Sequence, residues 1–255
     1  AFWSGDFLYE EDNIQSRWTM IHEAERQWEK GAIVHLMFHA CNPVLGGEPC
    51  GWEGGVLSHI NDTQWENLLR NGTDVNEKWK SMLDVIAPYL QYLKQHGVQV
   101  LLRLHHEMNQ AKFWWGGRPG PNGTAALFRL SQLHLKDTHA LDNLRFIWDL
   151  QDFKTYAQDL YDYNPGSDFF DILSFDNYSG DYSQDKYDRV LAAAGPDKLV
   201  AIGECASLPS LQQLHEQPRW VFFMPWPGLV QKDNTVQHVR ELYSSPQVIV
   251  LKNEL

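Results

Sequence analysis

Short runs of consecutive apolar, β-branched and aromatic residues alternate along the chain with longer stretches in which apolar residues recur at every third or fourth position. The runs are Phe2 to Phe7, Ala32 to His39, Val98 to His105, Leu144 to Leu150, Phe170 to Tyr178, Leu199 to Gly203 and Trp220 to Pro225. A strand that is apolar at successive positions is buried on both faces, which is the pattern of a parallel sheet covered by helices. Helical stretches are predicted at 14–30, 75–96, 124–140, 153–161, 184–194, 208–216 and 233–243. In 75–96, Trp79, Met82, Leu83, Ile86, Tyr89, Leu90 and Leu93 form one stripe, and Gly97 follows as a stop. Seven such alternations in 255 residues predict an α/β chain folded as a (β/α)8 barrel, one domain spanning residues 1–255. The competing open, doubly wound sheet would want a glycine-rich turn after its first strand, and Gly-x-Gly-x-x-Gly is absent. Seven strands are one short of a closed barrel. Either the first strand–helix unit precedes Ala1, or a segment such as Val248 to Leu251 completes the sheet; the abrupt start inside an apolar run favours the first.

Charge narrows the partners. Lys and Arg total 21 against 33 Asp and Glu, a net charge of −12, so no surplus of cation is available for nucleic acid or an anionic membrane surface. Mean hydropathy is −0.44, and no apolar run approaches the ~18 residues of a membrane-spanning helix. Aromatic residues make up 13% of the chain, with 11 Trp; they suit stacking on a neutral ring such as a sugar, and equally suit core packing. Cys41 and Cys50 bracket a Pro/Gly-rich stretch of the kind a disulfide would pin, while Cys205 sits in an apolar run as a buried free thiol. Sequons at Asn61, Asn71, Asn122 and Asn177, with no Cys-x-x-Cys pair, point to a secreted protein. Because the chain opens Ala-Phe-Trp-Ser-Gly-Asp, any signal peptide is expected to have been removed or to lie outside this sequence.

In a parallel barrel, chemistry sits at the C-terminal ends of the strands. Two strands end in glutamate: Val98 to His105 runs on to Glu107, and Leu199 to Gly203 runs on to Glu204, three strands later. Two carboxylates facing one cleft, one protonated and one ionised, are the minimum equipment for cleaving a glycosidic bond. Other strand ends offer His39, Asp176, Tyr178 and Trp226, and Trp114-Trp115-Gly116 follows seven residues after Glu107. Competing chemistries lack their spacing. His105-His106-Glu107 is not His-Glu-x-x-His, so no catalytic metal is expected, and no other cofactor is implied. Gly-x-Ser-x-Gly is absent. Cys205 beside Glu204 would have its thiolate disfavoured by the neighbouring anion.

Arg103-Leu104-His105-His106-Glu107-Met108-Asn109 with Trp114-Trp115-Gly116, and Ile202-Gly203-Glu204, carry a resemblance to family 26 of the glycoside hydrolases, best known for endo-β-1,4-mannanases. Support comes from Gly31-Ala32-Ile33-Val34 leading to His39 and Asn42-Pro43, from Phe175-Asp176-Asn177-Tyr178, and from the strand ending at Trp226. The resemblance implies a (β/α)8 barrel with its acid/base after strand four and its nucleophile after strand seven, which would make Phe2 to Phe7 strand two. It implies Glu107 as general acid/base and Glu204 as nucleophile of a retaining double displacement. His106 then resembles a histidine that holds the nucleophile or the sugar, Tyr178 the tyrosine beside the nucleophile, and Trp226 a platform under the sugar. His39 resembles a histidine reaching the glycone side, and Arg103 a buried arginine supporting the nucleophile, with a structural ion pair as its rival reading. Trp114, Trp115 and Asp176 complete the expected sugar-binding set.

The sequence departs from the family in two places. Lys112 stands before Phe113-Trp114-Trp115-Gly116 where many members have tryptophan, and Met224-Pro225-Trp226-Pro227-Gly228 makes the last strand end stiff. Glu107 is expected to stay protonated through its apolar strand and the charge of Glu204, and the sequon at Asn177 to stay empty. The implied substrates are mannan, glucomannan or galactomannan, acted on by a secreted monomer without nucleic-acid or membrane partners. The same barrel acting on mixed-linkage β-glucan or xylan, and a non-catalytic sugar-binding barrel, remain as alternatives.

Overall fold

The computed structural model describes residues 2–8, 11–46 and 50–250. Seven strands, β1 (Phe2–Asp6), β2 (Ile33–Met37), β3 (Val100–Arg103), β4 (Leu144–Gln151), β5 (Ile172–Asn177), β6 (Leu199–Cys205) and β7 (Trp220–Pro225), pair in sequence order and in parallel. Each falls within or beside one of the seven apolar runs. Between them lie α1 (Glu11–Glu29), α2 (Asp62–Leu69), α3 (Asp74–Gln95), α4 (Thr124–Leu133), α5 (Tyr156–Asp162), α6 (Gln184–Ala194) and α7 (Leu211–Glu216), followed after β7 by α8 (Pro227–Asp233) and α9 (Val236–Ser244). The α/β barrel reading holds. Its variant in which Val248 to Leu251 completes the sheet does not: residues 248–250 form no strand, and Leu251 lies outside the described residues.

The curl of the sheet is visible from what meets inside it. His35 of β2 and Phe222 of β7, on strands near opposite ends of the sheet order, face each other with ring centroids 6.4 Å apart. A flat seven-stranded sheet would hold them far apart, because neighbouring strands are spaced by about 4.8 Å. Inside the curl, Leu101, Ile147, Ile172, Ala201 and Phe222, from five successive strands, form one apolar layer. Outside, Val34, Leu36, Leu102, Trp148, Leu173 and Ile202 pack in the larger core shared with the helices. Period-two alternation thus carries apolar residues to both faces, which is why the runs read as continuous.

Local chemistry explains the helix ends. Thr73 accepts from Asn76 N–H and starts α3, whose stripe of Trp79, Met82, Leu83, Ile86, Leu90 and Leu93 is buried as expected. Each such side chain contributes roughly 1.5–3 kcal/mol by leaving water. Two short helices escape the apolar periodicity. α2 is set by a reciprocal capping box between Asn61 and Gln64, and α8 by Pro227 at its first position. The stretch predicted as one helix over 124–140 changes character instead, α4 passing into a π-helical turn at His134–Thr138. A Cys41–Cys50 disulfide pins the loop after β2, and Cys205 is free and buried.

Candidate active site

The loop leaving β3 splits its two histidines between opposite environments. His105 turns outward into the core, against Trp79, Trp115 and Phe128, and burial pushes its pKa down to about 3. It is a neutral core histidine. His106 turns inward, and Glu107 follows with φ of 42°, a left-handed conformation that side-chain-bearing residues rarely adopt. That conformation is held from outside: Glu107 N–H donates to Asp149 Oδ2 at 2.9 Å, and Met108 N–H to the Asp149 carbonyl at 3.0 Å. Asn109 fixes the rest of the loop through the Gln151 backbone and Asp159 Oδ2.

Glu204 reaches the interior through a bulge. Along β6, Ala201 and Gly203 face inward, so strict alternation would turn Glu204 out to the helices. The register instead pairs Phe175 with Ile202 and Asp176 with Glu204, leaving Gly203 as an extra residue and bringing Glu204 inward. Only glycine fits at this point. A Cβ on Gly203 would lie 2.6 Å from Asp176 Oδ1, 2.7 Å from Asp149 Oδ1 and 2.9 Å from Ser174 Oγ.

Above the apolar layer sits a charged one built on Arg103, which is fully buried. Its Nη1 lies 3.2 Å from both Asp149 Oδ2 and Asp176 Oδ1, while its Nη2 donates to Glu204 Oε1. Tyr178 Oη and Trp226 Nε1, the latter at 2.8 Å, donate to the other Glu204 oxygen. Burial opposes charge on Glu204, yet Arg103, His106 and the Tyr178 and Trp226 hydrogen bonds outweigh it and hold the carboxyl well below the usual carboxylate range. Asp176 goes the other way. Burial pushes it well above its ordinary value, and the charges of Asp149 and Glu204 add to that.

His106 stands between the two glutamates, its Nε2 3.5 Å from Glu107 Oε2 and its Nδ1 3.4 Å from Glu204 Oε1. An oxygen of Glu107 and an oxygen of Glu204 lie within 4.8 Å of each other. The expectation for Glu107 needs correction here. Burial does push its pKa up, but the hydrogen bond and charge of His106 and the hydrogen bond from Gln110 bring it below the ordinary value, against the smaller raising effect of Glu204. His106, Glu107, Asp176 and Glu204 also have the composition of a metal cage. The Arg103 guanidinium, bonded to Asp176 and Glu204, already puts a fixed positive charge among them.

The remaining predicted residues separate into rim and support. Tyr178 and Trp226 are partly exposed, at 36% and 39%, and present aromatic faces at the mouth. His39 is buried beside the cleft, its ring 4.8 Å from that of His106 and its Nδ1 2.5 Å from Asp6 Oδ2. Trp114, Trp115 and Asp176 have no surface to offer a sugar, which corrects their place in the binding set. The Trp114 indole donates to the Ala40 carbonyl, and the Trp115 indole to the His106 carbonyl, so both brace the loop that carries Glu107. Asp176, fully buried, acts on Arg103. Arg103 likewise lies beneath the cleft and supports Glu204 without meeting solvent.

Four residues escaped the sequence reading. Asp149 is a lone acid within an apolar strand, which was the available signal. Asp6 ends β1 as His39 follows β2, Gln110 donates to Glu107 Oε2 at 3.0 Å, and Trp52 lies 5.2 Å from His39 at the rim. Nothing local marks Gln110 or Trp52. Lys112 holds its ammonium 3.8 Å from Glu107 Oε2, at the position where the family resemblance led to tryptophan. Cys205 is core: burial pushes its thiol up to about 12.

A parallel β/α barrel with two glutamates drawn together at strand ends is the architecture of a glycoside-cleaving barrel. The profile of glycosyl hydrolase family 26 matches residues 9–254, and the chain belongs to that family. Among curated proteins it is 29% identical over 223 residues to mannan endo-1,4-beta-mannosidase A and B of Caldalkalibacillus mannanilyticus, covering 78% of this chain and 40% of the relative. It is 29% identical over 246 residues to the mannan endo-1,4-beta-mannosidase of Thermothelomyces thermophilus, covering 91% of this chain and 48% of that one. The chain thus spans about half the length of these relatives. Among solved structures, GH26A from Muricauda sp. superposes with a TM-score of 0.90 at 32% identity, over 98% of this chain and 82% of that one. The beta-mannanase from a symbiotic protist of the termite Reticulitermes speratus, complexed with gluco-manno-oligosaccharide, gives a TM-score of 0.80 at 25% identity, over 98% and 79%.

Proposed function

We propose that this chain hydrolyses β-1,4-mannosidic linkages in mannan, glucomannan or galactomannan with retention of configuration, Glu107 acting as acid/base and Glu204 as nucleophile. The observation that carries the reading is that an oxygen of Glu107 and an oxygen of Glu204 lie within 4.8 Å of each other. Retaining enzymes hold their carboxyl groups about 5–5.5 Å apart, whereas inverting ones leave ~6.5–9.5 Å for a water molecule. The electrostatics support the same roles. Glu204 is kept ionised by Arg103, Tyr178 and Trp226 and so carries the negative charge a nucleophile needs. At Glu107 burial and the Glu204 charge favour the proton-bearing form that an acid needs, against the lowering effect of His106 and of the Gln110 hydrogen bond.

In the first step Glu107 gives its proton to the glycosidic oxygen while Glu204 Oε2 attacks the anomeric carbon, forming a covalent mannosyl-enzyme. In the second, Glu107 takes a proton from water, which attacks the same carbon and releases the sugar with its β configuration. As Glu204 loses its charge to the new bond, Tyr178 and Trp226 lose their anionic acceptor. Trp226 and Tyr178 then offer their exposed faces to the sugar at the cleavage point, with His39 buried beside His106 and the partly buried Trp52 next to it. The names of the curated relatives support mannan as the substrate, and manno-oligosaccharides are the corresponding products. The Cys41–Cys50 disulfide supports a secreted protein, since such bonds persist in oxidising compartments. A net charge of −12 supports the absence of nucleic-acid and membrane-surface partners, and we take the monomer as the working unit.

The test is a reducing-sugar assay with product analysis on linear β-1,4-mannan, mixed-linkage glucan and xylan in parallel. Mannan cleavage with β-anomeric products is the expected result. Cleavage of glucan or xylan instead would move the specificity, and binding without cleavage of any of them would replace the enzyme with a sugar-binding barrel. Glu107→Ala and Glu204→Ala should each cut the rate on mannan by orders of magnitude. An aryl mannoside with a good leaving group should partly rescue Glu107→Ala and not Glu204→Ala, and the reverse pattern would exchange their roles.

A further inference from the structure

Away from the cleft, on the helical wall of the barrel, three side chains converge in a way that the hydrolytic reaction does not use. Asp84 projects from α3, His134 follows the last residue of α4, and His139 follows the π-helical turn His134–Thr138. The Nε2 atoms of His134 and His139 both lie 2.6 Å from Asp84 Oδ1, and their rings meet edge to face with centroids 5.4 Å apart. The π turn is the reason they meet. In an α-helix a residue five positions on points about 140° away, whereas the wider π turn brings residue i+5 back over residue i. The helix therefore departs from regular geometry just where it brings two imidazoles onto one carboxylate.

We propose that Asp84, His134 and His139 form a binding site for a divalent transition-metal ion, zinc fitting it best, that clamps α3 to the end of α4. Two neutral imidazoles and one carboxylate are a zinc-type donor set, and calcium or magnesium would want oxygen ligands in place of the histidines. Zinc bonds of about 2.0–2.2 Å in tetrahedral geometry separate donor atoms by roughly 3.3 Å. Each imidazole-to-carboxylate separation therefore needs to open by about 0.7 Å, and the three donor atoms already lie within 4.8 Å of one another. Asp84 can do this, because its side chain is 48% exposed, and the same exposure leaves a fourth position to water. Thr138 Oγ1 lies 3.4 Å from His134 Nδ1, on the far side of that ring, placed to orient it. Among the described residues, the ion pairs of Asp84 are with these two histidines. The site is separate from the His106, Glu107, Asp176 and Glu204 cluster, and its role is to tie together residues 50 and 55 positions apart in sequence.

The experiment is a calorimetric titration of the chelator-treated full chain with zinc chloride at neutral pH, paired with thermal unfolding and with mannan hydrolysis. Wild type, Asp84→Asn, His139→Ala and the milder His139→Gln are compared. The expected result is saturable binding of one ion in wild type. Zinc at a hundred times its Kd should raise the melting temperature by about 5 °C or more. Each variant should bind about tenfold more weakly or worse and lose that rise, while metal-free hydrolysis stays at the wild-type rate. Because the readout is the zinc-induced rise, a variant with a lower metal-free melting temperature still reports. Absence of saturable binding in wild type would overturn the proposal. So would undiminished binding in the variants, and if zinc then also blocks hydrolysis the ion sits in the cleft. Neither zinc binding nor the zinc-induced melting rise depends on mannan being the substrate, so failure of the proposed function and failure of the metal site are distinguishable.

Discussion

Replacing Arg103 by methionine tests the central electrostatic argument, because one buried cation there faces three buried carboxylates. Methionine keeps most of the volume and removes the charge, leaving Asp149, Asp176 and Glu204 without their common partner. Removing one side of a buried pair costs about 3–5 kcal/mol. In a domain of this size ~1 kcal/mol corresponds to roughly 2–4 °C, so the melting temperature should fall by about 6–20 °C at neutral pH. The pH dependence fixes the cause. In the wild type the folded pKa of Glu204 is depressed, so its stabilising contribution is present above the ordinary value of 4.5 and is lost only as pH falls through the lower folded value. In Arg103→Met the folded pKa rises above 4.5, so the penalty is full at neutral pH and disappears as acid neutralises the carboxylates. Circular-dichroism melts of the two proteins should therefore converge as pH falls from 7 toward the carboxylate range. Arg103→Lys, which keeps the charge but reaches fewer oxygens, should fall between them. A loss below ~1 kcal/mol at neutral pH, or a gap that does not change with pH, would refute the argument.

Tyr178→Phe removes one donor from Glu204, a charge-assisted bond worth about 1.5–3 kcal/mol, so kcat should fall roughly 10–150-fold and the acid limb of the pH–rate profile should move upward as the Glu204 pKa rises. An unshifted limb would remove Tyr178 from the nucleophile's support. Trp114→Ala should destabilise by about 3–5 kcal/mol, the cost of emptying a buried aromatic site. Trp226→Ala should leave the melting temperature nearly unchanged and raise KM or lower kcat; equal stability losses in the two variants would erase the distinction between support and platform. Asn177 is fully buried and its side chain donates to the Asp181 carbonyl, whereas Asn61, Asn71 and Asn122 are exposed. Peptide mass spectrometry of material from a glycosylating host should find Asn177 unmodified, and a glycan there would contradict the placement of β5.

Much of the architecture is written in local pattern. Seven apolar runs became seven strands, the inner ones buried on both faces and β1 and β7 at the ends of the sheet order only partly so, and strand-end position alone singled out Glu107 and Glu204. The two glutamates are adjacent to glycine or histidine in sequence, and their strand ends lie where a parallel barrel collects its chemistry. The helices announced by a stripe, α3 above all, formed as read. Those set by capping or by a leading proline, α2 and α8, carry too few apolar positions for periodicity to reveal them.

What the sequence by itself determined, then, is period and identity: which segments bury two faces, and which titratable residues end them. Tertiary structure alone decided direction. His105 and His106 are neighbours of one type, yet one turns into the core and the other between the glutamates. Trp114 and Trp115 look like Trp226 in sequence, yet only Trp226 keeps an open face. Glu204 faces the cleft because a bulge at Gly203 reverses the alternation, and Asp149 matters because the sheet curls until four strands share one arginine. Facing, burial and charge pairing between strands are sums over residues distant in the chain, and the physical forces that set them act only once the barrel has brought those residues together.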